Sequence, residues 1–596
     1  MSERKVRIGN SSGFWGDEPM AMKRQVEKGN LDYLVADYLA EVSMSILHKQ
    51  MLRKPDLGYV PDFIEHVKLA IENTDRDLPK IITNAGGKNP LACAKELKEV
   101  FKYYGIDKKV MAVTGDDLMI DLEKYASNDF KNIENGKSFK SIKEDLVVAN
   151  AYTSSEGIVA ALKEGADVVI TGRASDSALT IGPLIYEFDW VLEDWDKIAS
   201  GMVAGHVLEC GSQASGGNFT DWKHIESWEN MGYPIIEMFE NGNFNVTKAQ
   251  GTGGLINQWT IKEQLVYEIA DPSNYMGPEV VSDLTNVLVE DKDQNVVFVS
   301  NVKGKPAPDT WKVSMAFSDG FKAVGSVVVG GSEVEKKAEI IRGIFWSRFE
   351  INFEKTSTNF IGYNALGKAL ESSNSKEILL QFSAFDHDRK KLEIFSKEIA
   401  GLILSGPQGI AAFGGRPRLQ QIFSYWPTLV SKSDLTLEVF EITEGKETSV
   451  SKLNPQIHRS RYLKTEELSN NIKPEFNILE PFENSDLVNV DNLCLARSGD
   501  KGDSVNIGVL ARTPASYHFL KNNLTTQIIH NWFQDLCSGE ILRYEIESLS
   551  AFNFVLNETL DGGGTRSGRL DPQGKMFAAT LLAQKVYVPR KLMEAQ

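Results

Sequence analysis

Charged and small residues are concentrated in one short run near the C-terminus, Ala496-Arg497-Ser498-Gly499-Asp500-Lys501-Gly502-Asp503. Arg497 and Lys501 are suited to hold an anionic group, the first through a planar fork and the second as a point charge. Asp500 and Asp503 are suited to orient these cations or to bind a hard metal ion. The glycines let the backbone turn sharply and approach a ligand closely. The alternative interpretation is a tight, hairpin-like turn whose charges neutralise each other.

A second set of polar residues follows strand-like segments in the first third of the chain. Strands and helices alternate there, which predicts right-handed crossovers and a mainly parallel, doubly wound α/β sheet. Ligands bind such sheets at the carboxyl ends of the strands. The predicted strands are Val6–Gly9, Leu31–Ala36, Ile81–Thr83, Val110–Val113, Leu146–Ala149 and Asp167–Thr171. The residues after them are Asn10–Gly13, Asp37, Asn84–Gly87, Thr114–Asp117, Asn150 and Gly172–Asp176. We expect these residues to form a site, although polar and glycine-rich loops are common in any protein.

A histidine and a carboxylate lie close together in Gly205-His206-Val207-Leu208-Glu209-Cys210-Gly211. On a helix His206 and Glu209 would share a face. They could then act as a general acid–base pair or contribute to a metal site. A buried histidine with a structural hydrogen bond is the alternative. Further along, Gly251-Thr252-Gly253-Gly254 offers backbone amides to an anion or a developing oxyanion, and a flexible turn is the alternative there.

The composition excludes several classes of function. The chain has 596 residues, 42% hydrophobic and 25% charged, with a net charge of −17, so we expect two to four domains and neither nucleic acid nor an anionic membrane as a partner. Its four cysteines are far apart, which argues against a disulfide framework or a structural zinc site. The N-terminus has no apolar signal core, and no apolar run is long enough to span a bilayer. We therefore expect a cytoplasmic protein, a small anionic substrate in a local cationic pocket and a homo-oligomer.

The hydrophobic pattern divides the chain into three portions. Residues 1–442 predict one α/β domain, with a more antiparallel α+β portion from about 245 to 442, and the polar stretch 443–486 predicts a linker. Residues 487–596 predict a small α+β domain. Its predicted elements are the strands Val488–Ala496, Ile541–Val555 and Lys575–Lys585 and a helix from Thr513 to Leu536. In the N-terminal domain, Asp17 is the predicted cap of the first helix and Gly29 its end.

Two glycine patterns near the N-terminus suggest other chemistries. Gly9, Gly13 and Gly16 follow the first strand in a spacing that could cradle a phosphate, so a nicotinamide cofactor is one alternative. Gly9-Asn10-Ser11-Ser12-Gly13 also fits the pattern of a nucleophile elbow with Ser11 as the attacking group, and a serine-rich turn is the competing interpretation.

Several long motifs occur in a fixed order along the chain. They are Gly13-Phe14-x-Gly16-Asp17, Gly29-Asn30-Leu31-Asp32-Tyr33-Leu34-Val35, Thr83-Asn84-Ala85-Gly86-Gly87-x-Asn89-Pro90, Asp167-Val168-Val169-Ile170-Thr171-Gly172-Arg173-x-x-Asp176, Ala204-Gly205-His206-x-Leu208-Glu209-Cys210-Gly211 and Gly251-Thr252-Gly253-Gly254. Together they resemble the acyclic terpene utilisation (AtuA) family over nearly the whole chain. The run from Ala496 to Asp503 resembles the ferredoxin-like domain often attached to that family. The resemblance implies a cytosolic protein linked to breakdown of isoprenoid or branched-chain acids as coenzyme A thioesters.

Residues and resemblance together give a working hypothesis: a lyase, hydratase or thioester hydrolase acting on a branched acyl-CoA or its free acid. Arg173, beside Asp176, would hold a carboxylate or phosphate, while Asn84 and the amides of Gly251–Gly254 would polarise a carbonyl. His206 with Glu209 would move the proton. The candidate ligand-binding residues are Gly251, Thr252, Gly253, Gly254, Arg497, Ser498, Gly499, Asp500 and Lys501. The alternative is a non-catalytic acyl-CoA-binding or assembly partner of a biotin-dependent carboxylase complex. The metal and cofactor requirements stay open.

Overall fold

The computed structural model describes residues 4–72, 74, 76–122, 130–367, 374–455 and 474–594. The chain divides into two compact units. The first unit comprises Met1–Ala316, Trp426–Glu467 and Glu545–Ala551, and the second comprises Phe317–Tyr425, Leu468–Tyr544 and Phe552–Gln596.

An eleven-stranded mixed sheet forms the centre of the first unit. Its middle consists of parallel strands in the spatial order β1 (Lys5–Asn10), β2 (Tyr33–Ala36), β3 (Lys80–Thr83), β6 (Val168–Thr171) and β4 (Val110–Thr114). Antiparallel strands extend both edges: β7 (Pro234–Phe239), β8 (Phe244–Lys248), β12 (Val296–Ser300) and β11 (Leu288–Asp293) beyond β1, and β19 (Leu437–Thr443) and β20 (Lys446–Leu453) beyond β4. The parallel middle brings its carboxyl ends to one edge. A mixed α/β architecture is confirmed, and the doubly wound arrangement stays a prediction.

The helices of the first unit connect these strands. They are α1 (Ala21–Lys28), α2 (Ser43–Arg53), α3 (Pro61–Ile71), α4 (Pro90–Tyr103), α5 (Glu156–Lys163), α6 (Ala178–Phe188), α7 (Trp195–Glu209) and α8 (Gln258–Leu265). Local sequence explains where α4 starts, because Pro90 occupies its first turn and the Asn89 side chain accepts the Ala92 N–H. The central strands are almost fully buried, which accounts for their continuous apolar runs.

Two local expectations for this unit are wrong. The predicted fifth strand, β5 (Leu146–Ala151), is not in the main sheet but pairs with β14 (Thr310–Gly330), because a short apolar run specifies a strand without specifying its partner. The first helix is not capped by Asp17, since its N-cap is Met20. Asp17 instead accepts hydrogen bonds from the Gly13 N–H at 2.8 Å and the Tyr233 hydroxyl at 2.6 Å.

The remaining strands of the first unit form a small sheet of β9 (Tyr275–Met276), β10 (Val280–Asp283) and β13 (Lys303–Pro306). The strand β20 lies within the segment predicted as a linker, and residues 456–473 of that segment lie outside the described residues. Among the helices of the described ranges, none combines the length and apolarity needed to cross a bilayer.

The second unit contains two hydrophobic cores. In the first, β15 (Lys355–Ile361), β16 (Glu377–Asp386) and β17 (Ile410–Phe413) pair with one another or with β14, and β18 (Leu419–Ser431) follows. The helices α9 (Val334–Ser347) and α10 (Arg389–Glu398) pack on β16. Phe345 anchors this core, with its ring centroid 4.2 Å from that of Phe382 and 5.3 Å from that of Phe395.

The second core belongs to the C-terminal residues. Its sheet has the order β22 (Cys494–Lys501), β23 (Ser504–Ala511), β25 (Ala551–Leu556) and β24 (Ile541–Ile546), and β21 (Ser485–Asn489) pairs separately with β26 (Lys585–Pro589). The helices are α11 (Pro514–Asn523), α12 (Thr526–Phe533), α13 (Phe577–Leu582) and α14 (Arg590–Glu594). The small α+β domain is confirmed.

Several C-terminal boundaries are wrong. The predicted helix from Thr513 to Leu536 is two helices, because the Thr525 side chain caps a second one at the Ile528 N–H. The predicted strand Lys575–Lys585 contains α13, and the predicted strand Ile541–Val555 is broken into β24 and β25. Short apolar runs do not distinguish a buried helix from a strand, which explains the error at α13.

Candidate functional site

The side chains that follow β2 and β3 are hydrogen-bonded to each other at the carboxyl ends of these strands. Asp37 follows β2 and Asn84 follows β3, and both side chains are buried. The Asn84 Nδ2 donates to Asp37 Oδ1 at 2.7 Å, while Asn84 Oδ1 accepts the Tyr38 N–H at 2.8 Å. Asp37 Oδ1 also accepts the Leu39 N–H at 3.1 Å. Because both of these bonds reach Oδ1, the other carboxyl oxygen, Oδ2, is the one suited to carry a proton.

Arg173 is the buried cation of this edge. It follows β6, and only 3% of its surface is exposed. Its Nη1 donates to Asp176 Oδ1 at 3.0 Å, and its Cζ lies 4.1 Å from the centre of the Tyr152 ring. Stacking on the Tyr152 ring and the ion pair with Asp176 hold the guanidinium in place. Anion binding by Arg173 stays a prediction.

Asp116 ties three further strand ends together. Its Oδ2 accepts the Arg173 N–H at 2.9 Å and the Asn150 Nδ2 at 2.8 Å. Asp116 therefore connects the residues after β4 and β6 with Asn150, which lies near the end of β5. The adjacent Asp117 forms an ion pair with Lys88, whose side chain is 5% exposed. Lys88 is thus a second buried cation among these strand ends.

The two buried carboxyls have raised pKa values. Burial raises the pKa of Asp37 well above its usual range, and the charge of Asp176 raises it further, whereas Arg173 and Asn84 oppose the shift. Burial, followed by the charge of Asp117, raises the pKa of Asp116 to about 6. The environment thus favours a neutral Asp37, which is able to donate a hydrogen bond.

A third buried carboxyl, Glu279, lies at the N-terminus of α5. Its Oε1 accepts the Ser155 N–H at 2.6 Å, and its Oε2 has no hydrogen-bond partner among the described residues. The nearby Lys432 Nζ donates to the Pro278 carbonyl at 2.6 Å. Burial raises the pKa of Glu279 to about 7, and the charge of Lys432 opposes this shift. Thr153, close to Ser155 in the chain, donates its N–H to the Arg173 carbonyl at 3.3 Å. The Glu279 carboxyl therefore adjoins the residues described above at the strand ends, which are called the strand-end site.

His206 and Glu209 share a face of α7, as their spacing indicates. The His206 Nδ1 lies 3.0 Å from Glu209 Oε1, and its Nε2 donates to the Gln264 carbonyl at 2.9 Å. The Tyr275 hydroxyl lies 3.2 Å from the same Nδ1. Both ring nitrogens are therefore engaged, and proton transfer by this pair stays a prediction. The helix itself packs on the site, because a Cβ on Gly205 would lie 2.7 Å from the Ser177 Cα.

The Gly251–Gly254 turn is bound to a neighbouring loop. The Gly253 N–H donates to the Asn230 carbonyl at 2.6 Å, and the Gly254 N–H donates to the Ser227 carbonyl at 3.1 Å. These two amides are thus occupied in the folded unit, and their role as donors to a ligand stays a prediction.

The run Arg497–Lys501 forms the end of β22 in the second unit rather than a loop. Its turn consists of Gly502 and Asp503, and Lys501 pairs with Ser504 across the hairpin. Asp503 Oδ1 accepts the Leu560 N–H at 3.0 Å and the Gly562 N–H at 2.8 Å, so the turn holds the glycine loop that follows β25. The hairpin favours a structural role for this turn, and ligand binding by the run stays a prediction.

Two family models match separate parts of the chain. The family model described as "Acyclic terpene utilisation family protein AtuA" matches residues 6–440. The chain belongs to the AtuA family. A second model, the AtuA ferredoxin-like domain, matches residues 488–587. Neither the comparison with curated proteins nor that with solved structures gave a match.

The strand-end site, from Asp37 to Glu279, lies inside the AtuA match. Sequence reasoning singled out Asn84, Arg173 and Asp176, and the structure brings Arg173 and Asp176 into contact. Sequence reasoning did not single out Lys88, Tyr152, Glu279 or Lys432. The AtuA motif around Lys88 did not single it out, because Lys88 occupies the unspecified position between Gly87 and Asn89. Nothing in the sequence connects Glu279 with Lys432, which are far apart in the chain.

Contacts between protein groups connect the strand-end residues of this AtuA site. Within the ranges that the structure describes, no cluster of three or more His, Cys, Asp or Glu side chains is arranged to hold a metal ion. The hydrogen bonds of the strand-end residues reach other protein groups instead.

The buried carboxyls predict an unusual pH dependence of stability in this AtuA protein. A carboxyl with a raised folded pKa contributes stability below its unfolded pKa and loses it as the pH rises through the folded pKa. For Glu279 this stability is lost between the ordinary pKa of 4.5 and the raised pKa of about 7. The free energy of unfolding lost over this pH range is roughly 3 kcal/mol. We expect the unfolding temperature of Glu279→Gln, relative to wild type, to increase between pH 5 and pH 8 in scanning calorimetry. The exposed substitution Glu290→Gln is the control, and a constant difference for Glu279→Gln would contradict the burial argument.

Proposed function

We propose that this AtuA protein is a cytosolic enzyme of isoprenoid or branched-chain acid catabolism. It would act as a lyase, hydratase or thioester hydrolase on an acyl-CoA or its free acid. Family membership supports the pathway. The observation that carries the proposal is the buried Arg173 guanidinium at the edge where burial raises the pKa of Asp37. A homo-oligomeric state is part of this proposal.

Arg173 would bind the negative charge of the substrate. Burial opposes the charged form of Arg173, but Tyr152 and Asp176 raise its pKa, so the guanidinium stays charged. A buried, charged guanidinium suits a carboxylate or a phosphate. Asp176 would orient it, since their ion pair fixes one side of the fork.

Asp37 would donate a hydrogen bond to the acyl carbonyl oxygen. Lyases and hydratases of acyl compounds pass through an enolate-like oxygen, and thioester hydrolysis passes through a tetrahedral oxyanion. In each case negative charge develops on that oxygen, and a neutral carboxyl stabilises it by hydrogen bonding. Asn84 positions Asp37, because its amide holds the Oδ1 atom.

The proton that leaves the substrate or water needs an acceptor. His206 with Glu209 is the pair indicated by the sequence, and its use would require His206 to exchange one of its present hydrogen bonds. Glu279 is a second acceptor, because its Oε2 has no hydrogen-bond partner among the residues that the structure describes. Its pKa of about 7 matches proton transfer near neutral pH.

The substitution Asp37→Asn separates binding from catalysis. We expect it to change affinity for 3-methylbutanoyl-CoA less than about threefold and to reduce turnover by roughly 100-fold or more, the usual contribution of a positioned acid. Titration calorimetry measures the affinity, and mass spectrometry of the acyl and CoA products measures turnover. The exposed Asp77→Asn is the matched control.

Three outcomes of this experiment have distinct meanings. Release of free acid and coenzyme A identifies a hydrolase, and a hydrated or cleaved acyl-CoA identifies a hydratase or lyase. Binding by wild type without any product favours the non-catalytic alternative, an acyl-CoA-binding or assembly partner of a carboxylase complex. Absence of binding of the ester and of its free acid would refute the proposal.

A further inference from the structure

A cavity of about 70 Å³ lies within the second unit. Its apolar wall includes Leu366, Leu536, Met576 and Phe577, and Arg569 contributes a guanidinium. One water-sized group needs about 10–15 Å³, so the cavity takes roughly five non-hydrogen atoms. Its residues are separate from the strand-end site of the first unit, and nothing in the proposed function uses them.

Arg569 is a part-buried cation that forms no ion pair with a carboxylate of the described residues. Its Nη2 donates to the Leu536 carbonyl at 2.7 Å, and its Nε is buried with no hydrogen-bond partner in the described ranges. Burial lowers the pKa of Arg569, although Asp561 and Asp503 oppose the shift from a distance. By contrast Arg566, in the same loop, forms an ion pair with Asp319 at 3.0 Å. Since arginine is rarely buried without an anionic partner, the Arg569 environment suits an incoming anion.

The other polar groups of the cavity wall are already committed. Asp571 accepts the Lys575 N–H at 3.1 Å and the Met576 N–H at 2.7 Å. The Asn359 Nδ2 donates to the Gly568 carbonyl at 2.9 Å, and the Thr580 hydroxyl donates to the Met576 carbonyl at 3.1 Å. Arg569 is therefore the wall residue with the largest unmet hydrogen-bonding capacity.

We propose that this cavity binds a short-chain carboxylate. The carboxylate would lie against the Arg569 guanidinium, and the short alkyl group would pack against Leu366, Leu536 and Phe577. A charged head is required because an apolar molecule leaves the guanidinium unpaired. A short tail is required because the cavity has room for few additional carbons. The ligand class is thus set by the Arg569 cation and the apolar wall, while the Asp571 carboxylate is held by two backbone N–H groups.

The full-length protein tests this inference in titrations followed by NMR of carboxyl-labelled propionate. We expect saturable binding of propionate, at least tenfold weaker binding of the uncharged propionamide, and weaker binding of hexanoate because its chain exceeds the cavity. Inorganic phosphate is the competing source of negative charge. Binding of phosphate without propionate, or equal binding of propionate and propionamide, would overturn the assignment.

Two variants locate the binding. Arg569→Gln is expected to weaken propionate binding at least tenfold, while Arg566→Gln, whose partner is Asp319, leaves it within about twofold. If Arg569→Gln fails to fold, Ala365→Leu replaces it, because the added carbons fill the cavity from its wall. Unchanged propionate affinity in Ala365→Leu would place the binding elsewhere and refute the inference. None of these residues belongs to the strand-end site, so this result and that of the acyl-CoA experiment are independent.

Discussion

Replacement of Arg173 by methionine is expected to reduce binding of an acyl-CoA or its acid by about 100-fold and to destabilise the first unit. The binding loss follows from removal of a charge-assisted contact to the ligand, which is worth about 1.5–3 kcal/mol. The stability loss follows from removing one partner of the buried ion pair between Arg173 and Asp176, at a cost of about 3 kcal/mol. Titration calorimetry and thermal unfolding measure the two effects.

Two controls separate the charge of Arg173 from its shape. Arg173→Lys keeps the charge but loses the planar stacking on Tyr152, so we expect an intermediate loss of binding. Arg4→Met removes an exposed cation that is paired with Glu187 at 3.2 Å, and we expect little change in either quantity. Ligand affinity in Arg173→Met equal to that of wild type would contradict the assignment of Arg173 as the anion-binding residue.

The substitution Gly172→Ala is expected to disrupt the same site through steric overlap. A Cβ at Gly172 would overlap Asp116 Oδ1, and Asp116 is buried and held by Arg173 and Asn150. The carboxyl cannot move without breaking these bonds. We expect a loss of about 1–3 kcal/mol in stability, the usual cost of overpacking, and at least tenfold weaker ligand binding.

A double mutant tests whether the overlap is the cause. In Gly172→Ala with Asp116→Ala the overlapping carboxyl is absent, so the two changes should destabilise by less than the sum of the single changes. Gly343→Ala, at a helical position where an added Cβ meets no atom within 4 Å, is the control for a harmless methyl group. Strict additivity in thermal unfolding would show that Gly172→Ala acts by another route.

The sequence allowed the edge of the site to be predicted, because parallel strands bring their carboxyl ends together. Asp37, Asn84 and Arg173 follow β2, β3 and β6, and each of these strands is short and mostly apolar. The AtuA motifs coincide with the same strand ends, and the family match agrees with the resemblance. This level of organisation depends only on local pattern and on the handedness of the crossovers.

The pairing of side chains could not be predicted, because it depends on contacts between distant segments. Glu279 and Lys432 illustrate this, since each has an unremarkable sequence environment and they meet only in the fold. The segment β5 has the apolar pattern of the other strands and yet pairs with β14. The charge pattern of Arg497–Lys501 suggested a binding loop, whereas its hydrogen bonds to β23 make it a strand.

The most direct test of the central claim is a crystal structure of the protein with 3-methylbutanoyl-CoA or 3-methylbutanoate bound. The account predicts ligand density at the carboxyl ends of β2, β3 and β6. A carboxylate or phosphate oxygen should lie about 3 Å from the Arg173 guanidinium, and the acyl oxygen should lie at a similar distance from Asp37. An ordered acyl group that contacts neither Arg173 nor Asp37 would contradict the account.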